Sequence, residues 1–244
     1  MHRWTASLGV SRRGARRALP LAGTGAGETP RTHVSDGADR SAGSNAATGA
    51  GRREIFLFPL ATVLFPGGVL PLKIFEQRYL EMTKACLRDN APFGVCLIRE
   101  GSEVGAPAVP ENIGCLATIT QWDMPQLGVF HLVTRGSDRF RIIETRVAAS
   151  GLVSATVAVF PPESPAAMDP ACQQVLKVII EKAGAGLFPA PLDLDDPAWV
   201  SWRLAEVLPL ELPVRQQLLE IEDTAARLAR LRQILIQQAI VSEE

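Results

Sequence analysis

Apolar positions fall into two regimes along this chain. Between residues 54 and 160 they come in short runs bounded by glycine and proline, and beyond residue 168 they recur every three or four positions. "EIFLFPL" (54–60), "GVLPL" (68–72), "FGVCLI" (93–98), "IGCLATITQWDM" (113–124) and "GLVSATVAVF" (151–160) read as strands. In the last of these Val153, Ala155, Val157 and Val159 alternate with Ser154, Thr156 and Ala158, the pattern of a half-buried strand. "GVFHLVTRGSDRFRIIET" (128–145) fits either two strands around Gly136-Ser137-Asp138 or one strand with a bulge there. Between the first strands, Pro66 presets the first φ of a turn, and Gly67 or Gly68 takes the positive φ that a type II turn needs. One helix interrupts the strands. Phe75, Tyr79, Met82 and Cys86 step by four, three and four, predicting a single buried face and an end at Asn90.

The helical regime begins with "DPACQQVLKVIIEKAG", where Asp169 is placed to cap, Pro170 to occupy the first turn and Gly184 to close. "DDPAWVSWRLAEVL" repeats that start with Asp196 and Pro197. A third helix is predicted after Pro213, because Val214, Leu218, Ile221, Ala225 and Leu228 keep the three-four step. Strands first and helices second make the fold class α+β. The expected organisation is a disordered N-terminal extension over 1–53, a β-rich part over 54–165 and a helical part over 166–244 that belongs to the same domain.

Charge divides the chain in the same place. Residues 1–53 carry nine arginines, no lysine and three acids, a net of +6, which leaves the other 191 residues at −7. A folded part this acidic repels phosphate backbones, so nucleic acid is not an expected partner. The extension is rich in Gly, Ala, Ser and Thr and has nothing to bury. Its arginines invite a targeting reading, but "ALPLAGTGAG" is too polar and Gly-rich for a signal core. No apolar run approaches the ~20 residues of a membrane span, and no membrane partner is expected. Cys86, Cys96, Cys115 and Cys172 lie far apart in apolar surroundings with no Cys-x-x-Cys, and His131 is the only histidine beyond residue 53. These are read as buried free thiols in a reducing cytoplasm; neither a metal nor a cofactor is expected.

"LFPLATVLFPGGVLPLKIFEQRYLEM" resembles the opening of the Lon protease N-terminal, substrate-binding domain: a strand, V-x-F-P-G, x-L-P-L and then a helix. "VFHLVTRGSDRFRI" is similar to that domain's G-x-x-R-hydrophobic pattern, carried here by Gly136, Arg139 and Phe140. "LLEIEDTAARLARLRQIL" resembles its closing helix. The resemblance implies a PUA-like β pseudo-barrel with one early helix, followed by a helical bundle. It also makes Pro66, Gly67, Gly68, Gly136 and Arg139 structural rather than catalytic. What the Lon family places after this domain has no counterpart in the motifs. None of the four lysines of the folded part follows a glycine, so there is no Walker A loop, and no serine stands in a nucleophile motif.

The remaining chemistry is sparse. Asp193, Asp195 and Asp196 read as a helix cap and its dipole complement, His131 as a strand histidine, and Trp199 and Trp202 as bundle core. The expected function is therefore non-catalytic capture of exposed apolar segments, on unfolded or partly folded polypeptides or on a protein partner. Trp122, Met124 and Leu127 in a hairpin, with Phe65 and Val69 near the first turn, are the expected lining. The alternative is a peptide hydrolase or an accessory subunit of a Lon-type protease.

Overall fold

In the computed structural model, which describes residues 51–242, six strands form one sheet. They are β1 (Arg52–Leu60), β2 (Val69–Ile74), β3 (Phe93–Glu100), β4 (Val109–Gln126), β5 (Val129–Val147) and β6 (Val153–Val159). Helix α1 (Gln77–Asp89) lies between β2 and β3. Strand order is β2-β5-β4-β3-β1-β6, and β5 pairs with β6 as well, which returns the sheet on itself without making it a regular barrel. Only β1 and β3 run parallel; every other pair is antiparallel.

Strand β5 is long enough to serve two neighbourhoods. Its first half pairs with β2 and the far half of β4, and its second half pairs with β6. Residues 128–145 thus belong to one strand with a bulge. Cys115 faces Arg139 and Ala117 faces Gly136, so Ser137 and Asp138 together oppose a single residue of β4. The first strand begins two residues earlier than composition suggests. Arg52 and Arg53 pair with Ala158 and Val157 of β6, which removes them from the expected disordered extension. The rest of that extension, residues 1–50, lies outside the described residues.

Four helices follow the strands: α2 (Pro170–Ala183), α3 (Pro197–Val207), α4 (Leu212–Glu220) and α5 (Thr224–Gln237). Asp169 and Asp196 cap α2 and α3, accepting from Cys172 N at 2.8 Å and Ala198 N at 2.9 Å. The single helix expected after Pro213 is two. The backbone leaves the helix at Ile221, and Asp223 restarts it by accepting from Ala226 N at 2.8 Å. Arg139 supplies the physical reason. Its Nη1 donates to Leu219 O at 2.8 Å and to Ile221 O at 2.7 Å, and its Nη2 to Glu222 O at 3.2 Å. Carbonyls that a continuous helix would pair internally are held by a guanidinium from the sheet.

Strands and helices share a core. Val63, Phe65, Leu97 and Ile113 from the β part pack with Trp202, Leu204, Leu219 and Leu231. The Pro66-Gly67-Gly68 corner locks this junction. Gly68 N donates to Phe65 O at 2.9 Å, and Gly67 takes a φ of +74°, which together make the predicted type II turn. Gly67 N donates to Gly136 O at 2.9 Å, Gly136 N to Gly68 O at 2.8 Å, and Arg203 Nη2 of α3 to Pro66 O at 2.6 Å. The amides are all engaged, so the glycines form a corner and not an anion cradle.

Candidate functional site

The far half of the β4–β5 hairpin extends beyond β3, whose pairing with β4 ends at Ala117. Past that point the sheet is three strands wide, β2-β5-β4, and closes in the tip Gln126–Val129. Gly128 adopts a φ of +81° at the tip, which glycine tolerates and which allows the reversal in two residues. Register places Trp122 opposite Leu132, and Leu132 opposite Leu72, in one row on one face. Leu132 is buried, and the Trp122 ring leans on the buried Phe130 with centroids 5.7 Å apart. The tryptophan is thus anchored on its inner side while 55% of it stays accessible.

Two other large apolar residues share the end of the hairpin. Met124 is 43% exposed and Leu127 is 94% exposed. Asp123 Oδ1 accepts from Met124 N at 2.8 Å, and Thr120 Oγ1 donates across the strands to Val133 O at 2.9 Å, so β4 is held both locally and to β5 below the turn. Phe75, expected in the buried face of α1, instead precedes the helix and is 56% exposed. It directly follows Ile74, which pairs with Phe130, and so emerges beside the start of β5. It lines a groove of about 170 Å³ together with Phe58, Leu72, Tyr79, Glu103 and Val104. Nothing in the spacing marked Phe75 as exposed. A helix-start signal could have done so, but Glu76 makes no side-chain cap.

The other expected lining residues separate from this surface. Phe65 is 1% exposed and packs on Trp202 at 5.7 Å, inside the shared core, so it is corrected from lining to core. Val69 is accessible, but it stands opposite Arg135, three residues from Leu72, and therefore on the other face of the three-stranded extension. His131, a strand histidine as expected, also lies on that other face, exposed, with Lys73 and Asp123 as its cross-strand neighbours.

Reactive chemistry does not assemble elsewhere among the described residues. All four cysteines are free and buried. Burial pushes the Cys86 thiol up to about 11 and the Cys115 and Cys172 thiols up to about 12. A thiol so raised supplies almost no thiolate near neutral pH. Ser137 is exposed at the bulge, and Ser154 lines a cavity of about 270 Å³ with Glu54 and Cys86, with no histidine in either place. No group of three His, Cys, Asp or Glu residues among the described residues is arranged to hold a metal.

Comparison with known proteins adds a family and a fold. Residues 54–237 match the model of the ATP-dependent protease La (LON) substrate-binding domain. A Lon protease of Paraburkholderia phytofirmans is 29% identical over 191 residues, and one of Phenylobacterium zucineum is 25% identical over 195. The chain spans about a quarter of the length of these relatives, 23% and 24%. The solved structure of a Lon N-terminal domain protein from Xanthomonas campestris is 37% identical with a TM-score of 0.62, covering 73% of this chain and 96% of that one. The N-terminal domain of a Mycobacterium avium complex Lon protease, 17% identical with a TM-score of 0.54, shares the fold.

Proposed function

The chain belongs to the family of ATP-dependent protease La (LON) substrate-binding domains, and from that membership we propose that it is a non-catalytic module that captures exposed apolar segments of other polypeptides. One observation carries the reading: Trp122, Met124 and Leu127 stand exposed together at the tip of a hairpin whose base is part of the sheet. Large apolar side chains gathered on a stiff loop are what a binder of unfolded chains presents, because apolar contact demands little sequence and the site loses little entropy on binding. Phe75, exposed where β2 meets the start of β5, lines a separate groove that adds a second apolar surface. The raised thiols and, among the described residues, the lack of a histidine beside any buried nucleophile support a role without chemistry of its own. Four buried, unpaired thiols suit a reducing compartment such as the cytoplasm.

Trp122→Ala tests this. Binding of a labelled, permanently unfolded polypeptide, followed by fluorescence anisotropy, is expected to weaken by about 2 kcal/mol, roughly thirtyfold, as for a truncated aromatic anchor. The urea midpoint should stay near that of the unaltered protein, since the ring is more than half exposed. Unchanged affinity would place the binding surface elsewhere. A collapsed melt would make Trp122 a packing residue.

A further inference from the structure

The linker between β6 and α2, residues 160–169, has no regular secondary structure, and much of it faces solvent. Glu163 points the other way. Its Oε1 accepts from Arg227 Nη1 at 3.1 Å and pairs with Arg139 Nη2 at 2.9 Å. Its Oε2 accepts from Arg227 Nη2 at 2.5 Å and from the Thr224 hydroxyl. The two arginine side chains are 4% and 0% exposed, and both lie over the Trp202 ring, their guanidinium carbons 5.2 and 3.3 Å from its centroid.

These donors do not depend on the linker for their positions. Arg139 is fixed by Leu219 O and Ile221 O, and Arg227 by Ser201 Oγ at 2.8 Å and Ile221 O at 3.2 Å. Two anchored guanidiniums and a hydroxyl converging on one point match the planar fork of a carboxylate. The carboxylate in contact with both arginines is that of Glu163; without it two like charges would face each other over Trp202. An open cavity of about 330 Å³, lined by Asp138, Arg139, Phe160, Pro162, Glu163 and Trp202, runs alongside and gives a path to solvent.

We propose that Arg139, Arg227 and Thr224 form a carboxylate-binding site that the chain fills with its own Glu163, which makes the 160–169 linker a strap exchangeable for an external carboxylate. The inference does not depend on the hairpin and stands if that surface binds nothing.

The test uses the full chain with Glu163→Ala, Glu163→Gln and, as a control, Glu144→Ala, whose exposed side chain pairs with the exposed Arg146 away from the site. Elastase cleavage at Ala166 and Ala167 and the thermal midpoint are read in sodium chloride and in sodium formate or acetate of equal ionic strength. In chloride, Glu163→Ala should be cut about tenfold faster or more, the effect of stranding a buried charge. Formate and acetate should restore protection and midpoint saturably. Glu163→Gln should be destabilised but not rescued, because its amide still fills the pocket. The unaltered protein and Glu144→Ala should respond equally to all three salts. If Glu163→Ala does not fold in chloride, recovery of the fold in formate is the expected result, and failure in both salts overturns the proposal. So does wild-type behaviour of Glu163→Ala in chloride, equal protection by chloride and formate, or equal rescue of the Gln variant.

Discussion

Gly136 shows how little room a single position can leave. A Cβ there would stand 2.3 Å from Phe65 O, and both backbone polar groups are already spent on Gly67 and Gly68. The constraint is contact and not backbone conformation, because Gly136 has no positive φ. Gly136→Ala must therefore push the Pro66 corner off β5, and with it the carbonyl that Arg203 holds. We expect a loss of about 1–3 kcal/mol in the urea-derived stability, the cost of overpacking a tight site. Gly186→Ala, where a Cβ would meet nothing, should stay within about 0.5 kcal/mol. Equal effects at the two positions would show that the loss comes from glycine replacement as such. The same scale explains why Phe65 was misread as lining. It is apolar beside a turn, and only its packing on Trp202 of a distant helix turns it into the core.

At the scale of elements, the boundary between α4 and α5 carries the most information. The three-four step from Val214 to Leu228 runs unbroken across a point where the backbone leaves the helix, since residues on both sides still bury against one core. Asp223 was the available signal, a capping residue inside an apparently continuous pattern. Asp223→Ala should cost about 1 kcal/mol by loss of that cap. It should also speed hydrogen exchange at Ala226 N, the amide it satisfies. Unaltered exchange there would mean that Arg139 alone sets the break. Elements whose signals are local were legible: the type II corner, the caps at Asp169 and Asp196, the end of α1 at Asn90 and the alternation in β6. The exposure of Trp122, Met124 and Leu127 was legible too, as residues too large for a turn that needs no core. Glu163, Arg203 and Arg227 were not, because each has a partner 61 to 137 residues away and burial of a charge leaves no mark in local spacing. Phe75 was misassigned for a related reason, since it continues the helix period although it stands two residues before the helix begins.

Across the whole molecule, the helices and the sheet are joined by apolar core and by buried arginines, while the hairpin projects from the end that this junction leaves free. Such a junction holds its thiols as firmly as its apolar groups. Cys115 lies in the β core, and Cys172 packs in the shared core and contacts Leu228 O of α5. Burial raises Cys115 and Cys172 to about 12 and Cys86 to about 11, from ordinary values near 9, and moves Cys96 in the same direction. The folded values lie above the unfolded ones, so the stabilisation from keeping these thiols protonated is complete below pH 9. It is lost as the pH rises toward the folded values, because the unfolded chain ionises first. Each thiol then contributes a slope of at most about 1.4 kcal/mol per pH unit in that window. We expect the urea-derived stability to be level between about pH 7 and 8.5 and to fall by several kcal/mol by about pH 10.5. A Cys96→Ala, Cys115→Ala double variant should start lower, from lost packing, yet fall less steeply. Parallel declines in the two proteins would assign the alkaline loss to groups other than the buried thiols, and a flat profile to pH 10.5 would show that the thiols ionise as readily folded as unfolded.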